Sequence, residues 1–540
     1  MKSKFIFKYY RSIITIVILI LIADALIAQS EYQSYSFQFD QNANQYLYST
    51  KTREHTAIKP LIIDSLIKSN NDSAIKGHRL YWNSGRFFNE HLIDNKSKNS
   101  TFYADVLPDI SRGINVSGGQ STSISALGVQ LGGSVSKKFS YYGSVYANNQ
   151  TFPNYLSTYI HQTGIIPGQS SFADSTGNNN YSWFYVTALA SYTPNKYLNI
   201  TVGRDKNFIG DGYRSLLLSD YSSPYLFFKL TATLGNLRFM SMWSYMNDPA
   251  STSQYDIDRK KFGVFHYLDW NITNRLSIGL FENVIGFYTD DNGAKRPFDF
   301  YYLNPVIVMK PINNSSDDPD KSLLGFTGKY KLSSHLTYYV QFALNEFNSK
   351  DLFPNDGSYT NKYAYQLGFR GNDLFNIKGL NYLIESNNVR PFTYSARSVI
   401  ENYSNNGEPL AHPWGANFRE VVGFLHYQHK RWTFGLEADY GKYGLDSGST
   451  DYGKNIFIIY TDHTKDYGNN IGQGLSTTMI YLEAKVAFIL NPQYNLRLEI
   501  GALYRDDKNY QFDDKTSLFS IGLKSSFRNV YNDIVSFKTH

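Results

Sequence analysis

Apolar and polar residues alternate with a period of two through the stretch from Tyr181 to Met246, which predicts strands rather than helices. Phe184, Val186, Ala188, Ala190 and Tyr192 share one face, with Tyr185, Thr187 and Ser191 on the other. A turn at Thr193-Pro194-Asn195-Lys196 leads to a return strand in which Leu198, Ile200 and Val202 oppose Asn199, Thr201 and Gly203. The pattern resumes at Leu226, Phe228, Leu230, Ala232 and Leu234, turns at Gly235-Asn236 and runs on to Met246. Between the two hairpins lies a long polar segment, Gly203 to Asp220. Short turns alternating with long loops, between strands of about ten residues, form the layout of a transmembrane outer-membrane β-barrel.

The same alternation continues to the end of the chain. Leu127, Val129 and Leu131 oppose Ala126, Gly128 and Gln130, and further hairpins turn around Lys137-Lys138, Asn274, Ser334, Lys430-Arg431 and Pro492. In the last of these, Ile480, Leu482, Ala484, Val486 and Phe488 alternate with Tyr481, Glu483 and Lys485, and Leu498 and Ile500 alternate with Arg497 and Glu499. Charges at every second position suit a wet lumen, where they can pair across strands. About 18 antiparallel strands are expected over residues 101–540, an even number, in an all-β architecture. The intervals 150–180, 205–223, 288–320, 388–416 and 442–477 read as loops. No internal repeat of fixed period is present, which argues against propellers and solenoids.

Upstream the alternation is absent. Residues 1–28 carry Lys2, Lys4, Lys8 and Arg11, an apolar run from Ile13 to Ile22, and small residues at Ala23, Ala25 and Ala28, the pattern of a secretory signal peptide. Cleavage after Ala25 satisfies the small-x-small rule, and cleavage after Ala28 leaves an Ala-Gln junction. Residues 29–100 are polar apart from Leu61, Ile62, Ile63, Leu66 and Ile67, with Pro60 placed for the first turn of a helix. They are expected to form a small, partly helical periplasmic segment that can enter the lumen as a plug.

Composition sharpens this reading. Tyr and Phe number 46 and 37, and aromatics make up 16% of the chain, a load that suits a lipid-facing wall with interfacial girdles. The mean hydropathy is still negative, −0.39, because only alternate strand residues meet lipid. Of the net charge of +6, the leader residues Lys2, Lys4, Lys8 and Arg11 less Asp24 account for three, and the remainder gives no concentrated basic face for a nucleic-acid partner. Without cysteine there is no disulfide, no thiolate metal site and no lipidated anchor. Insertion therefore depends on outer-membrane lipid and on the barrel-assembly machinery.

Candidate chemistry is concentrated in the middle segment. Arg204, Asp205, Lys206, Asp211, Tyr213 and Arg214 fall within eleven positions among glycines and run into Leu216-Leu217-Leu218. Such charges beside an aromatic can hold sugar hydroxyls or seal a lumen with salt bridges. Glu385, Arg390 and Glu420 are placed to direct further charges inward. His426 and His429 fall on opposite faces of one strand, and Asp290, Asp291, Asp317, Asp318 and Asp320 match no EF-hand spacing, so neither metal nor cofactor is expected. Barrels can carry serine and histidine hydrolases on the wall, but no motif here selects a triad.

The run Gly203 to Asp220, with Gly210-Asp-Gly-Tyr-Arg-Ser-Leu-Leu-Leu-Ser219, resembles the signature of the Wzi-type capsule-assembly outer-membrane proteins, and still more the gliding-motility RemB group. Arg86-Phe-Phe-Asn-Glu-His-Leu92, Phe152-Pro-Asn-Tyr155, Pro167-Gly168, Phe300-Tyr-Tyr-Leu-Asn-Pro305, Asn388-Val-Arg-Pro-Phe-Thr-Tyr394 and Ala411-His-Pro-Trp-Gly-Ala-Asn417 extend the resemblance over most of the chain. It implies an 18-stranded barrel closed by helical and loop segments, acting without catalysis in polysaccharide attachment or surface motility. The partner would be surface polysaccharide or a surface adhesin, and the alternative is a passive solute pore. Two departures stand out: Phe208-Ile209 replaces a tryptophan before the glycine pair, and Phe537 is followed by Lys-Thr-His where a last strand often ends on an aromatic.

Overall fold

The computed structural model describes residues 31–32, 35–63, 85–248, 259–288, 295, 300–304, 321–346 and 356–537, apart from 137, 172–173, 178, 449, 526–527 and 529. The predicted leader, Leu66, Ile67 and the five loop aspartates lie outside these residues. Eighteen antiparallel strands, from Ser100–Asn115 to Asp513–Lys524, close into one barrel, and the short strands Ile93–Lys96 and Asp174–Gly177 extend its sheet. The expected turns recur with their register: Leu234 pairs with Leu237 across Gly235-Asn236, and His429 with Trp432 across Lys430-Arg431. Gly235 takes φ +62°, as the mirror-image hairpin turns require. The Thr193–Lys196 turn forms later than expected, at residues 196–197, and the register shifts between Tyr192 and Asn195, where Pro194 has no N–H to give the ladder.

Alternation decides which wall meets lipid. The face carrying Phe184, Leu127, Ile500 and Ile521 is outward, with Phe184 70% and Ile521 63% exposed, while its alternates Tyr185, Ala126, Glu499 and Gly501 are buried inside. Outward aromatics sit near strand ends, Phe139, Tyr192, Trp270, Tyr330 and Trp432 towards the short turns and Tyr245, Tyr440 and Tyr504 towards the long loops. These are the girdles that interfacial headgroups favour.

Closure is made over part of the strand length only. The last strand pairs with the first from Leu518↔Asn115 to Leu523↔Ile110, and Pro108, which cannot donate, lies just beyond this seam. Further along the same edge, Thr101–Ala104 pair with Ile93–Lys96 instead.

The lumen is not the wet channel that alternating charges suggest. Leu216, Leu217 and Leu218, all fully buried, pack with Phe227, Met240, Met242, Phe265, Tyr267, Phe281 and Ile285 of the inner wall and with Leu410, Trp414 and Phe418. The inner wall is apolar where loops fold inward, because there it faces protein. Residues 35–63 also lie inside: Ile58–Lys59 pair with Phe208–Ile209, and Lys331 Nζ donates to the carbonyls of Leu47, Ser49 and Thr52 at 2.8–3.1 Å. The helical turns fall at Phe37–Leu47 rather than after Pro60, where Ile62–Ile63 pair with Glu31–Tyr32 as a short strand. Charge pairing also differs from expectation. Lys485 binds Glu483 at 2.5 Å and Arg497 binds Glu499 at 2.8 Å, each along one strand, whereas Lys524 reaches Glu499, Arg505 reaches Asp514 and Arg259 reaches Asp248 across strands.

The chain does not end in the wall. After Lys524 the described residues of 525–537 return through the lumen, from Ser525, whose hydroxyl donates to the Tyr494 carbonyl at a short turn, to Phe537, which packs on Tyr159 and Phe457 of the long loops. Phe537 is therefore buried in the lumen and is not the terminal aromatic of the last strand.

Candidate functional site: a buried charge network in the lumen

Two glycines let the middle segment meet the wall. A Cβ on Gly212 would stand 2.1 Å from Glu385 Oε2 and 3.0 Å from the Tyr339 ring; Gly210, at φ +143°, sits as close to Gln341. The backbone N–H groups of Tyr213 and Arg214 donate to the Glu385 carboxylate at 3.0 and 3.1 Å, and Tyr339 Oη adds a third donor at 2.7 Å. Gln341 accepts from the Leu216 N–H, and Ser215 Oγ accepts from those of Leu217 and Leu218, which turns the three leucines into the core. The Gly-Asp-Gly-Tyr-Arg-Ser-Leu-Leu-Leu-Ser run is thus a plug segment fixed to the inner wall through Glu385, Tyr339 and Gln341. Gly212→Ala is expected to cost about 1–3 kcal/mol by overpacking. Protease cleavage within 206–224 on whole cells should rise while barrel yield holds.

Arg214 is the centre of the network, 1% exposed. Its guanidinium pairs with Glu420 at 3.0 Å, with Asp533 of the returning tail, and with Asp439 at 3.9 Å, and it stacks on the Tyr213 ring. Glu420 also binds His412 Nε2 at 2.7 Å and the Asn387 amide at 2.7 Å, which links on to Glu385 at 2.9 Å. Trp414 N–H donates to His412 Nδ1, so Nε2 carries the proton towards Glu420, and Trp414 Nε1 donates to the Asp533 carbonyl at 2.9 Å. One site thus joins the middle segment, three wall strands, the 390–417 loop and the C-terminal tail.

Asp211 forms a second node beside it, accepting from Tyr48 Oη at 2.8 Å and from Thr56, with Lys329 at 3.7 Å. Burial alone would raise its carboxyl, but Lys329, Lys59 and Arg370 hold it below the ordinary carboxylate value. Asp205 and Lys206 are buried nearby, with burial lowering the Lys206 ammonium against the pull of Asp220 and Glu408. Two predicted residues stand elsewhere. Arg204 follows outward Val202 by two and so lies on the outer face, donating to the Val186 carbonyl. Arg390 ties the Asn361 carbonyl at 2.9 Å at the long-loop rim and does not reach the cluster. His412, Asp439 and Asp533 were not singled out from sequence; only the Ala411–Asn417 stretch pointed near any of them.

Burial, partly offset by Glu420, pushes His412 down to about 4 from an ordinary value of about 6.5. The unfolded chain takes the proton first, so stability from neutral His412 is complete above pH of about 6.5 and is lost as pH falls towards 4. The unfolding temperature should fall through that window, and His412→Gln should flatten the slope. An unchanged slope in the variant would remove His412 from the account.

Beside the tail lies a cavity of about 250 Å³ between Phe37, Tyr213 and Phe424 and the charged wall residues Glu437, Lys485 and Arg497, with Pro153 and Tyr155 at the long-loop side.

An eighteen-stranded closed barrel with an apolar outer wall and a lumen filled by its own loops and tail has the fold of an outer-membrane β-barrel. Among solved structures it is similar to Wzi of Escherichia coli, described as an outer-membrane protein involved in group 1 capsule assembly and a carbohydrate-binding β-barrel. The TM-score is 0.54 and the identity 13%, over 91% of this chain and 99% of that one. It also matches OprD of Pseudomonas aeruginosa (TM-score 0.41, 10% identity, 78% and 94% covered) and OccAB2 of Acinetobacter baumannii (TM-score 0.43, 10% identity, 79% and 97% covered). No protein-family model matches the chain, and no curated protein matches it by sequence.

Proposed function

We propose that the chain is an outer-membrane component of a Gram-negative cell surface that attaches or organises polysaccharide, or serves surface motility as the RemB resemblance implies. Binding, not turnover, is the work of its lumen. The observation that carries this reading is the occupied lumen: the described residues of the tail run from Ser525, bound to the Tyr494 carbonyl, to Phe537, and are clamped at Arg214. The barrel fold shared with Wzi supports it. A passive solute pore needs an open path, and the described loops and tail occupy the lumen where such a path would run. The loop segments held by the network are then what the surface presents to glycan or adhesin.

Asp211→Ala and Arg214→Ala test the reading in cells. Both barrels should remain inserted and heat-modifiable, because neither side chain belongs to the wall. Polysaccharide retention or surface spreading should fall several-fold beside an unchanged barrel yield. Full retention and full spreading in both variants would end the assignment of function to this segment.

A further inference from the structure

On the strands Leu237–Asp248, Arg259–Asn271 and Leu276–Phe287 the outward positions between the rims are apolar with one interruption. Towards the long loops stand Trp243, Val264 and Val284 in one cross-strand row, over which Tyr302 packs with its carbonyl accepting from Trp243 Nε1 at 2.9 Å; towards the short turns stand Phe239, Leu268 and Leu280 in another. Between them lies the row Ser241, His266 and Glu282, in direct register, Ser241↔His266 and His266↔Glu282, bracketed by Leu230 and Leu324 on the next strands. Its direction is set by its neighbours: Met240, Met242, Phe265, Tyr267 and Phe281 belong to the lumen core, while Leu237, Trp270 and Leu280 are exposed outside.

An ionisable row at mid-strand on the lipid side is costly and demands a reason. Its members are 3%, 5% and 2% exposed. His266 Nδ1 stands 3.3 Å from Glu282 Oε2, which leaves Nε2 as the free ring nitrogen. His266 Nε2, Ser241 Oγ and Glu282 Oε1 have no hydrogen-bond partner. A polar cluster kept for stability would satisfy these atoms. The order is hydroxyl, imidazole, carboxylate, with the carboxylate on one ring nitrogen and the hydroxyl on the adjoining strand, whose opposed Cβ atoms lie about 4.5–5.5 Å apart.

We propose that Ser241, His266 and Glu282 form a serine acyl-hydrolase site on the outer wall, with the ester of a membrane lipid as its substrate class. It is a function separate from that of the lumen. Ser241 Oγ attacks the ester carbonyl carbon while His266 Nε2 takes its proton. The C–O bond to the alcohol breaks, the alcohol leaves with the proton from Nε2, and the acyl group stays on Ser241. Water then attacks the acyl-enzyme, gives a proton to Nε2, and releases the fatty acid with Ser241 restored. Glu282 is a positioning residue, holding the imidazole by Nδ1. The apolar rows on either side favour an acyl chain over a water-soluble ester, and the burial of all three residues keeps bulk water from them.

The test uses the full chain, folded in a non-ester detergent and shown to be heat-modifiable. A long-chain alkyl fluorophosphonate should form a single adduct at Ser241, located by peptide mass spectrometry, with loss of fluoride. Dioleoyl phosphatidylethanolamine in mixed micelles should release oleate. Ser241→Ala should abolish both, His266→Gln should slow both by about 10²–10⁴-fold, and Glu282→Gln should shift the pH profile of labelling. A folded barrel that gives no Ser241 adduct, releases no oleate, or labels equally in His266→Gln overturns the proposal. Asp211→Ala should leave labelling intact, so failure of the lumen reading and failure of this one are separable.

Discussion

Deleting residues 525–540 is expected to turn a silent barrel into a conducting one. The tail supplies Asp533 to Arg214, Arg528 to Asn148 at 2.8 Å and to Asp109 at 3.5 Å, Tyr531 to Asp220 at 2.5 Å, and the carbonyl that accepts from Tyr155 Oη at 2.8 Å. All are lumen contacts, and the wall strand ends before them at Lys524. Removal joins the space of the tail to the 250 Å³ cavity it borders. Barrels of this strand number leave an aqueous channel when nothing fills them. In planar bilayers the truncated protein should show resolved current steps at least tenfold above any background of the intact chain. A truncated barrel that inserts, migrates as heat-modifiable and stays silent would show that loops alone close the lumen.

The second large effect is at Arg214. Its removal leaves Glu420, Asp533 and Asp439 buried around an uncompensated site, a class of change that costs about 3–5 kcal/mol. The loss falls on the plug rather than the wall, since wall register continues through Asn387↔Glu420 without the side chain. Arg214→Ala should therefore make the 206–224 and 525–537 segments protease-sensitive while heat-modifiability persists. Combining Arg214→Met with Asp533→Asn should recover part of the loss, because a charge is withdrawn along with its partner. Additive effects in the pair would mean that the two residues do not share the site.

Much of the wall was legible because lipid enforces alternation: Phe184 against Tyr185, or Ile500 against Glu499, states the facing of a strand without further information. The two-residue turns at Gly235-Asn236 and Lys430-Arg431 were equally direct. The middle segment drew attention because glycines and charges are dense there, and Tyr213 and Arg214 do meet Glu385 and Glu420, with Asp211 in the node beside them. Arg204 continues the outward face of Leu198, Ile200 and Val202, and Arg390 is held at the long-loop rim by the Asn361 carbonyl, so neither is brought into the cluster. Asp533 and Phe537 were invisible as lumen residues because a tail that folds back breaks no local pattern. The Ser241–His266–Glu282 row was hidden for a different reason. Each member is one polar residue in its own strand, and only the pairing of three strands aligns them.

The central claim is that the lumen of the intact protein is closed, so conductance of the purified full chain tests it most directly. Reconstituted in a planar bilayer at high salt, with insertion confirmed by heat-dependent mobility of the same sample, it should carry no stable open-channel current. Large, long-lived current steps from the intact chain would contradict the account and favour a solute pore.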